Sequence, residues 1–242
     1  MLTTLAEDLT DLAARDHEIV VVHGGGPQIA DLLAHVGLAS EFYEGLRITS
    51  AETMHYVAMA LSSVNVALVC AFNQAGVASV GLNGADGAMV RGESLGPPWY
   101  RAGTVRAVSS VTIEAQWRAD LLPVVSPVVL DEHAELLNCN ADHVAGALAG
   151  ALGAHTLVML SDVDQLRADP EDAASALTRV SADEVRRMIA SGAVRDGMRP
   201  KMNAALDALG AGAQRVVLAN GRRPHALRDV VLSQIPTTEV VS

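Results

Sequence analysis

The sequence predicts an α/β protein built on parallel strands, and three observations predict it. Glu18-Ile-Val-Val-Val-His23, Val77-Ala-Ser-Val-Gly-Leu82 and His155-Thr-Leu-Val-Met-Leu-Ser-Asp162 are short, nearly unbroken apolar runs, the pattern of strands buried on both faces. Stretches of helical periodicity alternate with them in the second half of the chain as in the first. The runs end in Gly-rich or polar turns, where open α/β sheets take their ligands. At 242 residues, 50% hydrophobic and 19% charged, the chain can bury a large core in one two-lobed domain or in two closely packed ones.

Charge and cysteine usage narrow the function. A formal net charge of -11, from 17 basic against 28 acidic residues, excludes the clustered Lys and Arg of a nucleic-acid surface, so an anionic substrate must be held locally. Cys70 and Cys139 lack CxxC spacing, which argues against a zinc site or disulfide frame and suits a reducing compartment. No run approaches about 18 consecutive apolar residues and no basic-then-apolar signal opens the chain, so the expectation is a cytoplasmic protein with no membrane partner.

In chain order, Leu2, Leu5, Leu9 and Leu12 predict an amphipathic first helix. After the strand at 18–23, Gly24, Gly25 and Gly26 turn the chain, Pro27 opens a helix through Ile29, Leu32 and Leu33, and Gly37 stops it. Glu44 to Ser50 reads as a loop, with Ser50 capping a long helix from Ala51 to Gln74. Asn83-Gly-Ala-Asp-Gly87 reads as a turn, and Ser94 to Arg101 as the least ordered stretch. A strand from Thr104 leads to a helix near Thr112 to Ala119. Pro123 and Pro127 then suggest a strand end and a crossing between lobes near residue 127. A buried helix follows with Asn138, Asn140 and Asp142 at its start. Ser181-Ala-Asp-Glu184 is a capping box, Ser191 to Pro200 a loop, and Lys201 sits on the first turn of the helix that Gly210 ends. Gln214 to Ala219 and Thr237 to Val241 are the closing strands, with a helix near His225 to Leu232 between them.

Three helix starts converge on one chemistry. The turn at Gly24 to Gly26, the Asn138 start and Gly197-Met-Arg-Pro-Lys201 each suit an anion, because free backbone N–H groups and the positive dipole end gather there. Lys201 is unfavourable at a helix start by roughly a few tenths of a kcal/mol unless an anion lies beside it. His23-Gly-Gly-Gly26 also occurs as an oxyanion loop of hydrolases, but no G-x-S-x-G elbow accompanies it. Neither the G-x-x-x-x-G-K-[ST] loop nor G-x-G-x-x-G after a strand is present.

In this order, His23-Gly-Gly-Gly26, Gly45-Leu-Arg-Ile-Thr49, Gly81-Leu-Asn-Gly-Ala-Asp-Gly87, Asn138-Cys-Asn-Ala-Asp142, Leu160-Ser-Asp-Val163 and Gly197-Met-Arg-Pro-Lys201 resemble the N-acetylglutamate kinases of the amino-acid kinase family, over essentially the whole chain. The resemblance implies an open α/β/α sandwich with a mostly parallel central sheet and two lobes. Residues 1–127 would bind the acyl acceptor and dimerise, and 128–242 would bind ATP. It implies transfer of the γ-phosphoryl of ATP, with Mg²⁺, to the side-chain carboxylate of N-acetyl-L-glutamate, giving an acyl phosphate in arginine biosynthesis. Such chemistry asks for charge neutralisation and positioning rather than a nucleophile, which suits Gly loops, helix starts and a lysine. By this resemblance Gly25 and Gly26 hold the substrate near its reacting carboxylate, Arg47 pairs with its α-carboxylate and Asn138 binds its amide side. Asp142 orients the catalytic lysines, and Lys201 draws charge off the leaving β,γ-bridge. Asp162, Val163, Asp164, Gln165 and Leu166, with Ala193, Val194 and Arg195, line the nucleotide, and no protein metal site is implied.

Two departures stand out. The family pattern starts with a strand ending in Lys-x-Gly-Gly, and this chain opens on the helix after it; a start further upstream, a truncation and an inactive relative are the expectations this raises. One absent phosphoryl-clamping lysine would cost about 2.7–4 kcal/mol of transition-state stabilisation, by analogy with loss of one oxyanion donor. The second departure is Asp164-Gln165-Leu166, where the family carries Gly before the aliphatic residue. Ala102-Gly-Thr-Val-Arg106 resembles a related group acting on aminoadipate or glutamate blocked by a small acidic carrier protein, whereas Gly45 to Thr49 favours the acetylated substrate. A regulatory relative that binds without turnover is the other alternative. The resemblance also implies a homodimer, with the helix at 51–74 as its candidate element.

Overall fold

A computed structural model describes residues 2–169, 171–195, 197–232 and 235–242. Its elements are α1 (Leu2–Ala13), β1 (Val21–Val22), α2 (Gly26–His35), β2 (Phe42–Tyr43), β3 (Leu46–Arg47), α3 (Ala51–Gln74), β4 (Ser79–Asn83), β5 (Val90–Gly96), β6 (Tyr100–Val108), α4 (Val111–Trp117), β7 (Leu122–Ser126), β8 (Val128–Leu130) and β9 (Leu136–Cys139). There follow α5 (Ala141–Ala151), β10 (Leu157–Ser161), β11 (Arg179–Ser181), α6 (Ala182–Ser191), α7 (Met198–Gly210), β12 (Val216–Asn220), α8 (Ala226–Val231) and β13 (Thr238–Val241). Two compact units result. One is Glu18–Val144; the other joins the segment up to His17 to Ala145–Ser242. The division thus falls at 144/145 rather than near residue 127, and α1 belongs with the C-terminal half of the chain.

The Glu18–Val144 unit is built on a wholly parallel sheet in the order β1-β7-β4. Its central strand β7 is buried at every position and contains Pro123, so that proline does not end a strand. The register explains why it is tolerated. In β7 alternate residues face alternate neighbours, and the donor missing at Pro123 would have met the Ile19 carbonyl on the β1 side. That carbonyl instead accepts the Trp117 indole N–H at 3.0 Å. Pairing with β1 begins only at Val124.

Helix α3 starts where the sequence puts it, with Ser50 Oγ accepting from Thr53 N at 3.0 Å. It is one helix long and apolar enough by length and composition to cross a membrane, although no uninterrupted apolar run of that length exists. In the fold it is a domain helix. Met54, Val57 and Leu61 pack with Ile29 and Leu33 of α2, and buried Asn65 bonds into the parallel sheet. Val64 and Leu68, further along the same helix, are only half buried.

The remaining strands of this unit depart most from the sequence reading. Ser94 to Arg101 is not irregular: it forms the ends and turn of the β5–β6 hairpin, which β8 and β9 close into a barrel in the order β5-β6-β9-β8. The loop at Glu44 is the tip of the short β2–β3 hairpin. Asn138 lies on β9, paired with Ala102 and Val128, and not at a helix start. The cap of α5 is Asn140, whose Oδ1 accepts from Asp142 N at 2.8 Å.

In the other unit the sheet runs β10-β12-β13-β11, parallel except between β12 and β13. Its core joins Met159, Leu218 and Val240 of the strands to Val185 of α6 and Met202 and Ala205 of α7. Helix α5 is buried through small residues: a Cβ at Gly150 would stand 2.4 Å from Ala211 Cβ, so only glycine allows the approach. Ser181 caps α6 through Glu184 N at 3.2 Å, as the capping box predicts. Helix α1 packs on α8, where Asp8, fully buried rather than on a solvent face, accepts from His225 Nδ1 at 2.7 Å and Arg228 N at 3.2 Å. Pro170, and Asp196 within the loop expected at 191–200, lie outside the described residues.

Candidate functional site

In the Glu18–Val144 unit the fold gathers three of the four residues expected to hold an acceptor. Arg47, at the end of β3, donates through Nη2 to the Gly26 carbonyl at 3.2 Å and through Nη1 to Ser40 Oγ. Its guanidinium carbon stands 4.6 Å from the Phe42 ring centroid. Thr49 Oγ1 donates to the Arg47 carbonyl at 2.9 Å and lies 3.2 Å from Asn138 Nδ2, so Gly26, Arg47, Thr49 and Asn138 form one hydrogen-bonded chain. Gly25, the fourth, is the N-cap of α2, and a Cβ there would meet Leu61 Cδ2 at 2.9 Å. Gly24 adjoins Ala141 at the start of α5, one residue before Asp142.

Electrostatics distinguish this cluster. Arg47 is only 7% exposed and, among the described residues, has no carboxylate partner. Burial pulls its pKa down from the ordinary guanidinium value. Among the described residues this buried cation meets a hydroxyl, a carbonyl and a ring face but no counter-charge, which arrival of a carboxylate would supply. Burial pushes the thiol of Cys139, beside Asn138, up to about 12, which disfavours the thiolate.

In the other unit the carboxyl ends of β10 and β12 carry the predicted nucleotide residues. Ser161 and Asp162 line a cavity of about 260 Å³ with Gly221, Arg222 and Arg223 after β12 and Thr4, Leu5 and Asp8 of α1. Asp162 Oδ2 lies 3.6 Å from Arg222 Nη2. Asp164 Oδ1 accepts from Arg223 Nε at 2.7 Å and Asn220 Nδ2 at 3.1 Å, and these two hydrogen bonds, Arg223's first, hold its carboxyl below the usual range. Val163 is exposed beside Asp162.

The side chains of the other residues expected to line the nucleotide have varied surroundings. Leu166 and Val194 are core residues, 4% and 2% exposed. Gln165 donates to the Leu177 and Thr237 carbonyls at 3.4 and 3.1 Å, so its side chain braces the loop. Ala193 packs against the same core, and Arg195 pairs with Glu171 at 3.1 Å on the surface. For buried Leu166 and Val194, contact with a ligand would have to come from backbone. Lys201 sits half-buried in the first turn of α7, which has no side-chain cap.

Sequence reasoning missed Arg222, Arg223, Ser40, Phe42 and Thr49. The signal for the first two was present, since Val216-Val-Leu-Ala-Asn-Gly-Arg-Arg223 is a strand-like run followed by Gly and cations. Among the described residues no group of three His, Cys, Asp or Glu gathers to hold a metal ion.

Known proteins share both the sequence and the fold. The acetylglutamate kinase of Deinococcus radiodurans is 47% identical over 222 residues, covering 90% of this chain and 86% of that one. The acetylglutamate kinase of Bifidobacterium adolescentis is 40% identical over 244 residues, covering 97% of this chain and 75% of that one. Among solved structures, smu.665 from Streptococcus mutans UA159 superposes with a TM-score of 0.82 at 24% identity, covering 98% of this chain and 91% of that one, a likeness of fold. The sequence profile of the amino acid kinase family matches residues 2–220, and the chain belongs to that family.

Proposed function

We propose that this chain is a kinase that transfers the γ-phosphoryl of ATP to the side-chain carboxylate of N-acetyl-L-glutamate, yielding N-acetylglutamyl 5-phosphate in arginine biosynthesis. The observation that carries the proposal is Arg47: a buried guanidinium with no carboxylate partner among the described residues, joined to Gly26 directly and to Asn138 through Thr49. It supplies a site for the α-carboxylate, with the Asn138 amide available to the acetamido group and the Gly25 and Gly26 amides to the reacting carboxylate. Relatives named acetylglutamate kinase, at 40% and 47% identity, support the same substrate.

The nucleotide is assigned to the unit that contains β10 and β12. Its Asp162 edge, cavity and Arg222–Arg223 pair suit a polyanion with a heterocycle, and Lys201 on α7 is assigned to drawing charge from the leaving group. Asp142, on the first turn of α5, is assigned to holding the catalytic ammonium groups in register. Mg²⁺ would be held chiefly by the nucleotide's phosphates, supplying charge neutralisation there.

We further assign a cytoplasmic homodimer, formed through α3. His55, Met59, Ser62, Val66 and Cys70 make an exposed stripe along one side of that helix, with Val66 61% exposed. Light scattering should give twice the 25.2 kDa chain mass; a monomer at working concentration overturns this.

An acyl phosphate is trapped by hydroxylamine as a hydroxamate, which tests the reaction directly. With MgATP and N-acetyl-L-glutamate, hydroxamate should accumulate from this chain or from the same chain preceded by the Lys-x-Gly-Gly strand, and not with free glutamate. Hydroxamate only from a carrier-protein-bound acceptor, or none from either chain, would sink the proposal.

A further inference from the structure

Beneath the Gly24–Gly26 turn lies a buried polar pair that neither the sequence motif nor the proposed reaction uses. His23 is 8% exposed and Asn65 7%. Asn65 reaches from the middle of α3 into the parallel sheet, its Nδ2 lying 2.9 Å from the Val124 carbonyl, 3.0 Å from His23 Nε2 and 3.4 Å from the Leu82 carbonyl. At Gly81 a Cβ would stand 2.0 Å from Asn65 Oδ1, so the sheet gives up a side chain to admit this one.

The contacts determine where the imidazole proton resides. The Val124 carbonyl requires the amide nitrogen on that side, and an amide NH₂ can only donate, its two hydrogens serving the two shorter contacts, Val124 O and His23 Nε2. Nε2 of His23 therefore accepts, and the ring proton is on Nδ1. Nδ1 lies 2.9 Å from the Gly24 carbonyl, to which it donates. Burial lowers the His23 pKa, in keeping with a neutral ring.

This bond acts on the peptide that follows. A trans peptide is planar, with its C=O and N–H pointing in opposite directions, so pinning the Gly24 oxygen also sets the direction of the Gly25 N–H. Among the described residues the amides of Gly24, Gly25 and Gly26 donate no backbone hydrogen bond, whereas the Gly26 carbonyl is taken by Arg47. We propose that Asn65 and His23 are positioning residues: Asn65 selects the Nδ1–H tautomer of His23, and that N–H holds the Gly24–Gly25 peptide so that the Gly25 amide is presented to the anionic acceptor. The inference rests on the acceptor reading above for its ligand, and on the His23 geometry for its mechanism.

Two substitutions separate positioning from packing. His23→Asn can keep a donor where Nδ1 stands, while His23→Gln puts its polar end where Nε2 stands and leaves Gly24 without a donor. Expected is a rise of about tenfold in the acceptor KM for His23→Gln with the ATP KM unmoved, and recovery of most of that loss in His23→Asn. If the two variants change acceptor KM alike, in step with their loss of stability, the pair is structural and the proposal fails.

A second measurement needs no turnover. In the unliganded protein, ¹⁵N spectra of the His23 ring should show the Nδ1–H tautomer, and the Gly25 amide resonance should move in His23→Gln more than in His23→Asn. An Nε2–H ring, or a Gly25 amide indifferent to both changes, overturns the positioning role whether or not the chain makes an acyl phosphate. Absence of hydroxamate with the expected tautomer would instead count against the reaction alone.

Discussion

The Arg47 guanidinium stacks over the Phe42 ring at 4.6 Å, two strands of one short hairpin holding a cation against an aromatic face. The ring replaces water on one side without offering a counter-charge, and Ser40 and the Gly26 carbonyl hold the fork in plane. Phe42 is itself 57% exposed, so its value to the fold is small and its value to Arg47 is the larger effect.

Removing the parts of this arrangement should therefore affect acceptor binding in graded fashion. Arg47→Lys keeps the charge and loses the fork, and is expected to raise acceptor KM roughly 10- to 100-fold, the equivalent of about 1.5–3 kcal/mol for a charged hydrogen bond. Phe42→Leu should raise it only about 2- to 5-fold, in line with about 0.5–1 kcal/mol for an exposed cation–π contact. Steady-state kinetics with acceptor and ATP varied separately would check both; equal effects on the two substrates would refute the assignment.

Trp117 satisfies a carbonyl that a proline leaves without its sheet partner. Trp117→Phe keeps most of the ring and deletes the donor to Ile19, so it should destabilise the Glu18–Val144 unit by about 1–3 kcal/mol with little change in KM. Urea unfolding with unchanged m-value is the measurement. Pro123→Ala would restore the backbone donor and should make the Trp117→Phe change cheaper, a coupling readable in a double-mutant cycle.

Asp8 is a cap delivered from elsewhere in the chain. It binds the N-terminal turn of α8 and the His225 ring, and His225 adopts a left-handed conformation with φ 55. Asp8→Ala should cost about 1–3 kcal/mol, and Asp8→Asn less, because an amide oxygen can still accept from Arg228 N. Amide exchange of α8 should quicken in Asp8→Ala; unchanged protection there would show that the cap is not what holds the helix.

The pH dependence of stability follows from His23. Its folded-state pKa is lowered from 6.5 by burial, against which the Gly24 hydrogen bond acts in the opposite direction. The unfolded chain therefore takes up a proton first as pH falls. Its full contribution is present above about pH 6.5 and is lost as pH falls through that value toward the folded pKa, with a slope of at most about 1.4 kcal/mol per pH unit. Denaturation midpoints between pH 5 and 8 should show a steeper acid-side fall in the native chain than in His23→Asn.

Much of this was legible without coordinates. Aliphatic runs such as Val21–Val22 and Leu157 to Leu160, and the caps at Ser50 and Ser181, report local preferences that tertiary packing did not reverse. Gly26, Arg47 and Asn138 are joined by hydrogen bonds through Thr49, whereas the sequence puts Asn138 at a helix start because its strand has no local signal. β9 exists only because β6 and β8 lie on either side of it.

The sequence by itself determined the alternation of strands and helices and the positions of its glycine turns, because these depend on neighbours within a few residues, and its composition fixed the chain's acidic charge. The tertiary structure alone decided that Ser94 to Arg101 is barrel rather than loop, that Pro123 sits in a central strand, and that Asn65, seemingly just one more residue of an apolar helix, meets a histidine 42 positions away. Each of those depends on a partner distant in the chain, and a hydrogen bond across such a distance leaves no periodicity to read.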